Sequence, residues 1–509
     1  MQDSRLSSRA LALMLGDWRT GGTAYAAIAD RIRVFCLDNR IAAGTVLPAE
    51  RDLAMRIGVS RTTIATAYSS LRASGHIESL RGSGSVVRAQ PRGVLIGAGE
   101  PVGEGLIDLH QASPAAWPGL PGLYVEAAAQ ASSVLARPGY DMVGAPGLRE
   151  AIAARYEQRG LPTDPDQIVV TNGAQSAISL IAATFVRRGD RVMIETPTYP
   201  HAAEALRRRD ARLVSVPVSH EDGWDVERAE HVFRRAMPSL AYLMPDFQNP
   251  TGRIMPGEHR TLFAAMAAEV GAMVLIDETT AELNIDGPEP LAPFAAFSPA
   301  DSRARIITIG SLGKTVWGGL RVGWIRAEHE LARRLVATRP LFDLGTPDME
   351  QAVATLAFER MPEILAQRAI TLGAGRDAVV TALRERLPEW TVHSVHGGVA
   401  TWVGLGAPRS SQLVLGARAR GVLLSSGPRF AVDGGYERHL RIPFTADPDS
   451  LVRAVDVIAD AWADASAGGF VHGADLVLHA VDGAREIAVD DPLPAIQRVI
   501  GGRRLWAAN

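Results

Sequence analysis

Lys314 is the only lysine in the 509-residue chain; the other 52 of its 53 basic side chains are arginine. Arginine replaces lysine in ion pairs and on solvated faces. Its guanidinium does not deprotonate, however, so it forms no Schiff base with a carbonyl compound. A lysine retained in so arginine-rich a chain, in the small-residue loop Ser311-Leu312-Gly313-Lys314 after the apolar run 306–309, is a candidate amine nucleophile. Arginine-biased composition also accounts for scarce lysine, so the residues that accompany Lys314 must decide its chemistry.

Those residues follow runs that read as strands. Ala174 and Gln175 open a helix after 167–171, and small residues at a helix start expose backbone N–H groups to an anion. Tyr199 follows 191–195, Asn249 follows 240–244, and Asp277 ends 273–277. Ser311 and Arg321 flank Lys314. Each has an ordinary structural reading, but together they supply what pyridoxal 5'-phosphate requires. Lys314 forms the aldimine, and Asp277 keeps the pyridine nitrogen protonated so that the ring acts as an electron sink. Asn249 donates to the ring oxygen, and Tyr199 stacks on the ring. The helix start at Ala174 and Gln175, with Ser311 and Arg321, grips the phosphate.

To position such a set, the strands must lie side by side. From 106 to 465 apolar strand-like runs, 212–216 and 305–309 among them, alternate with helical stretches such as 176–186, 201–208 and 258–269. This alternation predicts an α/β fold with a mainly parallel sheet covered on both faces, its ligands beyond the C-terminal strand ends. The composition, 47% hydrophobic and 21% charged, is that of a soluble globular chain. A single cysteine, Cys36, excludes a disulfide framework and a cysteine-rich metal site and fits a reducing cytoplasm. No apolar run approaches ~18 residues, so no membrane span is expected, and the start of the chain lacks a signal-peptide pattern.

Charge separates a head from this body. Residues 1–90 carry 12 Arg against 7 Asp and Glu, a net of +5 in a chain whose total is −3. A basic head on an acidic body suits a polyanionic partner. The head, 1–88, reads as helices at 4–15 and from Thr23 to about 39, then two short helices joined by the tight turn Gly58-Val59. The second of these is capped by Ser60 and stops at Gly75. Two short strands flank Arg81-Gly82-Ser83-Gly84. This is a winged helix-turn-helix. Ser60, Arg61, Thr62 and Thr63 sit where base edges are reached, Arg51 is placed for phosphate, and Arg81 with Gly82 forms the wing tip. Residues 89–105, rich in Gly and Pro, read as a short linker that couples head to body, and 466–509 as a C-terminal extension without an assigned role.

The ordered motifs Leu47-Pro48-Ala49-Glu50-Arg51, Gly58-Val59-Ser60-Arg61-Thr62-Thr63 and Arg81-Gly82-Ser83-Gly84-Ser85 resemble the GntR-type DNA-binding domain. The strand-end residues of the body resemble those of the class I aminotransferases, the type I pyridoxal phosphate fold with a smaller C-terminal subdomain. By that resemblance Tyr140, in Gly139-Tyr140, reaches the phosphate of a partner subunit, and Arg441, in His439-Leu440-Arg441, holds a substrate carboxylate. The resemblance departs at Thr279, where the family often has a tyrosine contacting the ring oxygen. The fusion is similar to the MocR/GabR group of bacterial transcription regulators. This implies a head-to-tail homodimer, associated with the nucleoid, that binds operator DNA. It senses an amino acid, an amine or pyridoxal phosphate itself at Lys314. Two other readings stay open: a working aminotransferase with an accessory head, and a body that dimerises without cofactor.

Overall fold

The apolar runs of the body assemble into an eight-stranded sheet in a computed structural model of the chain. Its strands run in the order Ile168–Thr171, Gly323–Arg326, Ile306–Ser311, Met273–Asp277, Leu240–Leu243, Arg191–Thr196, Arg212–Ser219 and Gly223–Trp224. The central five, from Ile306–Ser311 to Arg212–Ser219, pair in parallel, and Gly323–Arg326 runs antiparallel to both neighbours. Parallel strands are buried on both faces, which is why these runs are continuously apolar rather than alternating. Ile178, Ile194, Ile309 and Leu335 pack on one face, and Ile152, Val170, Phe263 and Ile276 on the other.

The structure describes residues 5–467 apart from 20–22, 39, 81–83, 89–105, 137, 288–291, 300–302 and 304. Arg81, Gly82, the linker and nearly all of the extension lie outside the described residues. The described residues fall within one compact unit, Met1–Phe470.

A smaller C-terminal layer follows the sheet. The antiparallel strands Ala400–Gly404, His439–Pro443 and Ser425–Ser426 pack with the helices Met361–Arg386, Ser410–Arg418 and Pro448–Ala467 around a second core containing Leu413, Leu440, Phe444 and Ile458.

The head has its own core of Leu11, Ile28, Phe35, Leu53, Ile64 and Leu71. The helix Glu50–Ile57 ends at Gly58, whose left-handed φ of 71° turns the chain sharply at little steric cost. The next helix, Arg61–Ala73, begins at Ser60, whose hydroxyl accepts from Thr63 N at 3.0 Å. Ile77–Leu80 and Gly84–Val87 pair antiparallel as the wing. Two details differ from the sequence expectation. The first helix starts at Ser8, because Ser7 Oγ caps it by accepting from Ala10 N, and the Thr23 side chain makes no cap bond to the helix Ala24–Leu37.

Candidate cofactor site and nucleic-acid interface

The sheet sets Gln175, Tyr199, Asn249, Asp277, Ser311 and Lys314 at or just beyond the ends of its strands, while Arg441 lies within a strand of the smaller C-terminal sheet. Asp277 is the last residue of its strand, and Ser311 ends the neighbouring strand three residues before Lys314. Asp277 is buried, which raises its pKa. Three donors oppose that burial and favour the carboxylate: Thr279 N at 3.0 Å and Thr279 Oγ1 at 2.7 Å on Oδ1, and Tyr242 Oη at 2.8 Å on Oδ2. Thr279, which replaces the resemblance's tyrosine, thus holds the aspartate.

Lys314 Nζ donates to the carbonyl of Ala112. Burial, and then the nearby Arg441 cation, depress its pKa to about 8, with Asp277 opposing. The loop after Lys314 is pinned from the long helix Met361–Arg386. Arg368 donates to Thr315 O at 2.6 Å, Val316 O at 2.7 Å and Ala115 O at 2.7 Å.

An anion cradle lies at the start of the helix Ala174–Phe185. Gly173 has a φ of 93°, and a Cβ there would sit 2.6 Å from Arg321 Nη2. The positive φ favours glycine, and the absence of a Cβ leaves room for the cation beside the helix N-terminus. Arg321 itself occupies the left-handed region at φ 54°, uncommon for a residue with a side chain, and donates to Asn172 O at 2.8 Å and Gly318 O at 3.1 Å. Gln175 Nε2 donates to His201 O at 3.3 Å. Ser311 Oγ donates to Val322 O at 3.2 Å.

Four side-chain atoms of the candidate site are buried without a partner in the chain. Asn249 Oδ1, Gln175 Oε1, Asn172 Oδ1 and Arg441 Nε are in that condition, and such atoms are costly unless something satisfies them. Arg441 donates through Nη2 to His110 O at 2.6 Å and packs over the Phe430 ring. Tyr199 is pushed up to about 12 by burial, with Asp277 adding and Arg441 opposing. Tyr140 stands apart at 77% exposure.

In the head, Arg51, Ser60, Arg61 and Thr62 are exposed and Thr63 is half-buried at the start of the recognition helix. Arg61 is 74% exposed and lies 3.7 Å from Glu50, a loose pair that leaves it free to reach phosphate or base edges.

Residues 122–458 match the family profile of aminotransferase class I and II. The chain belongs to that family. Residues 24–87 of this aminotransferase-family chain match a second profile, bacterial regulatory proteins of the gntR family. The chain is similar to the probable rhizopine catabolism regulatory protein MocR of Rhizobium meliloti, at 30% identity over 71% of this chain and 77% of that protein. It is similar as well to the 2-aminoadipate transaminase of Thermus thermophilus, at 30% over 57% of this chain and 74% of that one. Among solved structures it resembles the alpha-aminoadipate aminotransferase LysN of the same species, complexed with N-(5'-phosphopyridoxyl)-L-leucine. That likeness has 28% identity and a TM-score of 0.65, and covers 72% of this chain and 94% of LysN.

Reading the sequence missed three participants: Tyr242, the Ala112 carbonyl and the His110 carbonyl. Tyr242 was signalled by a lone hydroxyl in the buried strand Leu240–Leu243, where a phenol needs a partner. The carbonyls at 110 and 112 carry no side-chain signal.

Proposed function

We propose that the chain is a transcription regulator that binds duplex DNA through its head and senses an amino acid at a pyridoxal phosphate site in its body. The observation that carries this reading is that one chain joins an exposed, basic recognition-helix start to a Lys314–Asp277–Asn249–Arg441 set of aminotransferase type, in which Asp277 and Arg441 are buried and Lys314 and Asn249 half-buried.

Pyridoxal 5'-phosphate is the cofactor of this family, and it would supply an aldehyde for amine exchange and an electron-withdrawing ring. The residues fit it. Lys314 presents an amine that is substantially neutral near pH 8. Asp277, held by Tyr242 and Thr279, would accept a hydrogen bond from the protonated ring nitrogen. Asn249 would orient the ring oxygen, and Tyr199 would cover the ring face. Ala174 and Gln175 at the helix start, with Ser311 and Arg321, would take the phosphate. Arg441 takes the carboxylate of an amino acid through its free Nε, which favours an amino acid over a simple amine or the cofactor alone as effector.

Tyr140 belongs to a homodimer in this reading. Tyr140 is 77% exposed, which suits it to meet a second copy, whose phosphate site it would complete. In the head, Arg61, Thr62 and Thr63 read base edges, while Arg51 and Ser60 seat the helix on the backbone.

The test is a spectral titration of pyridoxal-phosphate-loaded protein with amino acids, paired with DNA binding in each state. The reading requires an amino acid that changes both. A working aminotransferase is the second reading, favoured by the complete Lys314–Asp277–Asn249 set; steady turnover of an amino donor with a keto acid would establish it.

A further inference from the structure

The helix Ala24–Leu37 of the head lies against the helix Ser410–Arg418 and the loop 427–437 of the body, and the contacts between them are unusual in kind. Arg31 is buried at 1% exposure, and its Nε lies 2.8 Å from Glu437 Oε1, itself 5% exposed. This is an ion pair without aligned N–H···O geometry, and Arg31 Nη1 has no partner in the chain. Glu437 is held on its own side by Ser411, through N at 2.9 Å and Oγ at 2.5 Å. The head's Asp30 is buried and bonded to Arg33, with Gln412 of the body close enough to favour its carboxylate. Arg40 donates to Pro428 O at 3.4 Å, and Asp38 lies 3.8 Å from His110 Nε2.

Two glycines close the seam. Gly16, at the end of the head's first helix, and Gly434 both have positive φ, 52° and 85°. A Cβ on Gly16 would lie 2.8 Å from Gly434 Cα, and one on Gly434 would lie 2.7 Å from Gly16 Cα. Backbone meets backbone there, and no side chain fits on either residue.

The body's side of this seam is the structure that carries Arg441. Glu437 precedes the strand His439–Pro443 that bears Arg441, and Arg441 Nη2 is bonded to the carbonyl of His110, whose ring faces Asp38 of the head. The candidate effector arginine is therefore two contacts from the head along one route and four residues along another.

We infer that the seam between 24–40 of the head and 410–437 of the body is the latch through which an amino acid changes DNA affinity, with Arg31–Glu437 as its central contact. This rests on the proposed sensing of an amino acid at Arg441. A carboxylate entering beside the free Nε competes with the His110 carbonyl for Nη2, because an ionised acceptor bonds a guanidinium more strongly than a neutral one. Release of His110 loosens its contact with Asp38 and shifts the strand that anchors Glu437. Arg31 and Glu437 are desolvated, so they tolerate no partial separation: the seam is either made or open. By linkage, the factor by which the amino acid changes DNA affinity equals the factor by which DNA changes amino-acid affinity.

The test uses full-length, pyridoxal-phosphate-loaded protein, a duplex selected by that protein from a random-sequence library, and L-glutamate, L-alanine and L-lysine as probes. Hydrogen exchange on the unaltered protein comes first. Amides in 24–37 and 410–418 are expected to exchange at least several-fold faster with the responding amino acid. Unchanged protection there, alongside changed DNA affinity, overturns the latch. The double substitution Arg31→Met with Glu437→Met keeps bulk while removing both charges, and Gly434→Ala prises the backbones apart. Both are expected to leave the amino-acid spectral midpoint within about twofold of the original by leaving the site intact, while the ratio of DNA affinities with and without amino acid falls to one. A retained ratio in both variants overturns the proposal. If the unaltered protein shows no spectral response to any probe, the sensing reading fails first and the latch falls with it, a result distinct from loss confined to the variants.

Discussion

The head and the body hold their functional residues in opposite ways. In the head, Arg51, Arg61 and Thr62 stand in solvent around a core that does not need them. In the body, Asp277 and Arg441 are buried, and Lys314 is recessed, its pKa lowered by burial and then by the Arg441 cation. A surface that reads DNA is assembled when its partner arrives, so its residues stay uncommitted. A site that tunes a lysine must exclude water beforehand, so its residues are part of the fold. Substitutions in the head should therefore change binding without stability, and those in the body should change both.

The sharpest break in this contrast is Lys314→Ala. With no other lysine in the chain, it is expected to abolish borohydride-trapped incorporation of pyridoxal phosphate into any lysine and to remove the visible absorbance of the loaded protein. Mass spectrometry of the reduced protein checks it; label elsewhere on the chain contradicts it. Arg61→Ala comes next. It should weaken binding to a selected duplex by about 1–3 kcal/mol, roughly five- to 150-fold, with an unchanged melting temperature. A drop in melting temperature of several degrees would erase the distinction between the regions.

Tyr242→Phe tests the body's side. It removes one donor from buried Asp277, and an unsatisfied buried acceptor costs about 1–3 kcal/mol. A lower melting temperature and weaker retention of pyridoxal phosphate are expected together, read by calorimetry and by dialysis. Ser60→Ala, which removes a helix cap at the DNA face, should cost about 1 kcal/mol of stability. It is the one head position where stability and binding fall together.

The pH dependence sharpens the account further. Lys314 has a folded pKa of about 8 against an ordinary 10.5, so the amine is increasingly neutral as pH rises through 8. Trapping of pyridoxal phosphate on Lys314 should rise with a midpoint near pH 8. In the cofactor-free protein, the folded state binds fewer protons at this group than the unfolded state between about pH 8 and 10.5, so its contribution to stability increases with pH across that window.

Much of this was legible before the structure. The parallel strands announced themselves as short apolar runs, and Lys314, Asp277, Asn249 and Arg321 were named as candidates from their positions after those runs. The turn at Gly58 and the cap at Ser60 placed the recognition helix within a residue. What escaped was whatever depends on backbone atoms or on contacts distant in sequence. The Ala112 and His110 carbonyls leave no trace in side-chain type. Thr279 read as a loss because its partner, Asp277, is reached by a two-residue turn rather than by length. Arg31 carried no signal of its own in the sequence, and only the fold places it against Glu437, 406 positions later.

The central claim is that amino-acid binding at Lys314 and Arg441 and DNA binding by the head are one linked equilibrium. The most direct measurement is the dissociation constant for a selected duplex, with and without the amino acid that changes the absorbance of the loaded protein, in the original chain and in Arg441→Met. The account predicts a change of about five- to a hundredfold in the original chain and none in Arg441→Met. Equal constants in the original chain, under a clear spectral response, would contradict it.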